Sequence, residues 1–108
     1  MKVSKPYIGP MGETIYVVLP ENGESTWGYE RTLWPELKYD EAQGEPANYY
    51  YEANLFGGSD LAEVFAYDHG SVRHRDYSHI LEHAKSNSSP EYRRFAEILE
   101  TAHREVVG

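Results

Sequence analysis

A chain of 108 residues fits one domain, 1–108, long enough to bury a core but too short for separate cofactor and substrate domains; with no cysteine, disulfides, zinc-thiolate sites and thiol catalysis are excluded. Eighteen acidic against ten basic residues leave a net charge of -8, whose field repels phosphate backbones and anionic bilayers and favours basic partners. No apolar run approaches the ~20 residues that cross a bilayer, and no hydrophobic signal core follows Met1-Lys2-Val3-Ser4-Lys5-Pro6, so the expected location is the cytoplasm.

In chain order, Thr14-Ile15-Tyr16-Val17-Val18-Leu19 is β-branched and aromatic between two turn-forming stretches, Gly9-Pro10-Met11-Gly12 and Pro20-Glu21-Asn22-Gly23, and reads as a strand. Pro6-Tyr7-Ile8 is placed ahead of it at a sheet edge, because Pro6 has no amide hydrogen to give to a ladder. Past Asn22-Gly23, the alternation of Trp27, Tyr29 and Arg31 with Thr26, Glu30 and Thr32 predicts the second arm of a hairpin. Leu33 to Pro46 loses all periodicity and reads as a loop of the length that tends to be functional. Strand character returns over Asn48 to Phe56, expected to be a third or fourth antiparallel strand.

Beyond Gly57-Gly58 the period lengthens. Asp60 and Glu63 resemble a cap ahead of Leu61, Val64 and Phe65, which predicts a short helix over Leu61 to Asp68. A second helix is read from the stripe Tyr77, Ile80, Leu81, Ala84 with Asp76 as its cap. The third begins at Pro90 behind Ser88 or Ser89 and runs to the end, its apolar face made by Tyr92, Phe95, Ala96, Leu99, Ala102 and Val106. Strands first and helices after give an α+β domain: a small antiparallel sheet of three to four strands covered by two to three C-terminal helices, the last lying against Ile15, Val17 and Leu19.

His79-Ile80-Leu81-Glu82-His83 has the H-x-x-E-H spacing with which two histidines one helical turn apart can hold zinc beside a water-activating glutamate. Both histidines and Glu82 fall opposite the apolar stripe, however, so a solvated polar face is the preferred reading, with a metal site at His79 and His83 as the alternative. His69, His74, Asp68, Arg73, Arg75 and Asp76 form the densest titratable cluster, which reads as a surface turn between helices more readily than as an acid–base pair. His103 interrupts the apolar stripe between Leu99 and Val106 and is expected at the edge of the core. Gly57-Gly58-Ser59 lacks the lysine of a phosphate loop, and no G-x-S-x-G elbow marks a serine nucleophile.

Ten tyrosines in so short a chain, interleaved with acids, are the mixture of a surface that docks on a basic protein: the rings supply contact area and the carboxylates steer. Tyr39, Asp40, Glu41, Glu45, Tyr49, Tyr51 and Glu52 are the residues expected to form it. The function read from the sequence is a small acidic inhibitor, antitoxin-like or adaptor module for a basic, nucleic-acid-handling protein, of the kind that phages and mobile elements use against host defence. No cofactor and no direct contact with nucleic acid or membrane are implied. The rival is a small metal- or histidine-based enzyme on the His79, Glu82, His83 face, and a homodimer closed through a strand edge is the third arrangement that the sequence allows.

Overall fold

The computed structural model describes residues 1–21, 24–26, 28–35, 39–40, 45–46, 49–52, 62–68 and 71–108. The β-branched run forms strand β3, Thr14–Leu19, and the main sheet is built outward from it. On one side β3 pairs antiparallel with two short strands, β1 (Lys2–Val3) and β2 (Tyr7–Ile8). Between them Ser4 continues the ladder, its amide donating to Val17 O at 2.9 Å and its hydroxyl accepting from Val17 N at 3.0 Å.

The other side of β3 meets β7 (Glu63–Asp68), which pairs in turn with β8 (Ser71–Asp76), both antiparallel. Beyond β8 the strand β6 (Tyr49–Glu52) pairs in parallel, giving the order β1-β3-β7-β8-β6 with β2 also on β3. A separate two-stranded hairpin joins β4 (Tyr39–Asp40) to β5 (Glu45–Pro46).

Both faces of this sheet are packed. Ile15, Val17 and Val64 point to the face covered by α2 (Tyr77–Lys85) and α3 (Pro90–Val107), where Leu99, Ala102 and Val106 complete the cluster and Leu19, Phe95 and Ile98 pack at its margin. Val18, Phe65 and Val72 point to the opposite face, which is closed by Trp34 and Leu33 from α1 (Glu30–Leu33) and the turn after it. Adjacent residues Val17 and Val18 are therefore both fully buried, each side chain contributing on the order of 1.5–3 kcal/mol by removal from water.

The C-terminal helix starts where the sequence places it. Ser89 is the cap, its hydroxyl accepting from Tyr92 N at 3.3 Å with Pro90 in the first turn. Ala96 and Ala102 are buried with Leu99, and Ala102 and Leu99 belong to the cluster with Ile15 and Val17 of β3. Near its far end Glu105 accepts hydrogen bonds from Lys5 N at 3.1 Å and the Tyr7 hydroxyl at 2.8 Å, tying the first strands to the last helix. Glu100 pairs with Lys85 of α2 at 3.5 Å, an exposed contact of little energetic weight.

The α+β class and the contact of α3 with Ile15, Val17 and Leu19 agree with the sequence reading, and five local expectations do not. The helix expected over Leu61 to Asp68 is strand β7, and the titratable turn after it is strand β8. The hairpin arm expected at Thr26 to Thr32 is a turn at Gly28, with φ of 79°, followed by α1; Trp27 lies outside the described residues. Part of the expected loop from Leu33 to Pro46 is the β4–β5 hairpin. Finally, β6 runs parallel to its neighbour where an antiparallel strand was expected.

Candidate functional site

The register of β7 and β8 assembles a polar cluster inside the face that α1 covers. His74 stands opposite Phe65, and the rings stack with centroids 3.8 Å apart and planes 20° apart. His74 is fully buried, and Glu63, one pleat along the same face of β7, brings Oε2 within 3.2 Å of Nε2. The contact has the length of an ion pair but not the direction of a hydrogen bond, so Glu63 Oε2 is left without a hydrogen-bond donor. Thr26 adds its hydroxyl at 3.4 Å from the same ring nitrogen.

Glu30, in the first turn of α1, lowers its carboxyl into this side of the molecule. Only 2% of the residue is exposed, and Oε2 again has no donor. Removal from water pushes its acidity constant upward, opposed by its own amide and by the nearby His74 and Arg31 side chains. Glu30 and Glu63 thus both bury a carboxylate on the side of the sheet that carries His74, among packed rings: Tyr29 leans on Phe65 with centroids 6.2 Å apart, and Trp34 stacks on Tyr67 at 5.3 Å and meets Tyr16 edge-on at 5.4 Å. Chemically the arrangement can store and exchange a proton.

The sequence reading placed His74 in a surface turn, and the structure corrects this: it is among the most deeply buried side chains. Its signal was present in Ser71-Val72-Arg73-His74-Arg75, where Val72 and His74 alternate with polar residues as on a half-buried strand. Glu30, Glu63 and Thr26 carried no such signal, because their partners come from distant segments. His69 lies outside the described residues.

The residues expected to dock a partner fall on regular elements. Tyr39 and Asp40 form β4, Glu45 begins β5, and Tyr49, Tyr51 and Glu52 belong to β6, the last strand in the order described; Glu41 lies outside the described residues. Tyr49 is in register with Val72 and Tyr51 with His74, so β6 runs beside the strand that carries the buried imidazole. His79, Glu82 and His83 are exposed on α2, His83 meeting Tyr92 edge-on at 5.9 Å. Among the described residues no group of three or more His, Asp or Glu side chains is arranged to hold a metal ion. His103 sits half-buried at the core margin, flat against Tyr77 with centroids 4.0 Å apart and planes 6° apart.

Among the described residues the surface carries an open groove of about 520 Å³ between β2 and α3, bordered by Tyr7, Arg93, Arg94 and Ile98. Ile8 and Met11 project from the adjoining strand and turn, 64% and 72% exposed. No helix among the described residues is long and apolar enough to cross a membrane. No family model matches the sequence, and neither the curated proteins nor the solved structures contain a match.

Proposed function

We propose that the protein is a small acidic binding module, inhibitor- or antitoxin-like, that docks on a basic protein partner in the cytoplasm through the surface of Tyr39, Asp40, Glu41, Glu45, Tyr49, Tyr51 and Glu52. The observation that carries this reading is the coincidence of charge and edge. The net charge is -8, and the acid- and tyrosine-bearing segment includes a strand at the end of the sheet order. A terminal strand can extend its ladder with a partner's backbone, while acids beside it select a basic partner and raise the rate of encounter.

The test separates this surface from net charge alone. Bait proteins are the native chain, a variant carrying Glu41→Lys, Glu45→Lys and Glu52→Lys, and a control carrying Glu82→Lys, Glu91→Lys and Glu97→Lys on exposed positions of α2 and α3. The expected outcome is a basic protein captured by the native chain and by the control, and lost at least about tenfold with the first variant, a difference of ~1.4 kcal/mol. Equal capture by all three, or equal loss in both variants, overturns the assignment.

A further inference from the structure

We propose that Glu30, Glu63 and His74 form a proton-operated latch that holds the segment from Gly28 to Pro35 against the sheet and releases it when Glu30 gives up its proton. The element that the latch holds is α1. It is four residues long and has no side-chain cap, so it is too short to persist by its own hydrogen bonds. Its segment stays in place by what it inserts: Trp34 against Tyr67 and Tyr16, Tyr29 against Phe65, and the buried Glu30 carboxyl, whose Oε2 has no donor.

Charge counting gives the latch its direction. One imidazole can compensate at most one carboxylate, and Glu63 already stands 3.2 Å from Nε2. A neutral Glu30 is tolerated inside, whereas an ionised one is a second inward negative charge whose Oε2 has no donor. The groups around the site follow the same logic. β7 supplies Glu63, and β8 supplies His74 together with Asp76 in register with Glu63. α1 supplies Glu30 and the exposed Arg31, whose charge works against release, and the chain just before the latched segment supplies the neutral Thr26 hydroxyl. On β6 the register neighbour of His74 is Tyr51. Release of the segment from Gly28 to Pro35 uncovers Trp34, Phe65 and Val18, apolar groups that are buried in the closed form.

For Glu30 the folded value lies above the ordinary 4.5, so its stabilising contribution is complete below 4.5 and is lost as pH rises through the folded value. While Glu30 is protonated in the closed form and ionised in the open one, the opening constant grows by about tenfold per pH unit.

Amide hydrogen exchange from about pH 5 to pH 9, converted to protection factors so that the intrinsic pH dependence of exchange is removed, reads this directly. The reporters are Tyr29 N–H, bonded to Thr26 O at 3.0 Å, and Trp34 N–H, bonded to Glu30 O at 2.8 Å; Val17 N–H, bonded to Ser4 Oγ at 3.0 Å, is the internal control. Protection at Tyr29 and Trp34 is expected to fall up to about tenfold per pH unit while Val17 holds, and Glu30→Gln is expected to remove that slope. A flat native profile, or a slope that survives in Glu30→Gln, overturns the latch. If Glu30→Gln does not fold, carboxyl-carbon NMR of native Glu30 decides: a midpoint above the ordinary value that coincides with the change at Trp34 supports the latch, and an ordinary midpoint overturns it.

Discussion

At the scale of single residues, burial sets opposite demands on two titrating side chains. His103 is held below its ordinary 6.5 by burial, so the unfolded chain binds more protons than the folded one as pH falls past that value. Its share of stability is therefore fully present above 6.5 and lost as pH drops through its folded value, whereas that of Glu30 is lost as pH rises from 4.5. Thermal unfolding of the native protein and of His103→Phe, which keeps a ring against Tyr77, checks the first effect. Between about pH 7 and pH 5 the native protein is expected to lose stability relative to the variant, and parallel curves would contradict this. Position 9 shows a different constraint. A Cβ at Gly9 would collide with the Glu13 carboxylate and the Ile15 side chain, so a larger residue there requires both side chains to move.

At the scale of elements, α3 is the piece whose sequence and structure agree most closely, and its start is worth a measurement. Ser89→Ala removes the acceptor for Tyr92 N and is expected to cost about 1 kcal/mol, read as a lowered unfolding midpoint in urea with an unchanged slope. The amphipathic period of α2 and α3 was legible because each helix has one wet face. The same logic explains where legibility failed. In β7, Val64 faces the helices while Phe65 faces α1, so an element buried on both sides gives a short apolar run that fits either period, and the acids at Asp60 and Glu63 resembled a cap. His74 was legible as an alternation but not as a core group, since its contacts Glu63 and Thr26 are brought in from distant segments. The parallel pairing of β6 has no local signature, for it depends on a crossover through the chain between Glu52 and Ser71. The docking residues were chosen from composition, and their grouping on the β4–β5 hairpin and β6 is information that only pairing supplies.

For the molecule as a whole, the wiring of the sheet matters more than its size. Val17 of β3 lies opposite Val64 of β7, and α3, which covers the same face, ends at Val107. While the chain is being synthesised, the strand that becomes the middle of the molecule therefore leaves the ribosome with only β1 and β2 as partners and waits for the second half of the message to be read. A fragment ending before Glu63 is expected to show neither a cooperative melt nor dispersed amide resonances, and an independently folded fragment would contradict that expectation. Until that second half arrives, an oily nascent ribbon with one unzipped border is offered to whatever is nearby, so yield in a cell will depend on how quickly translation finishes and on which chaperones meet the chain first.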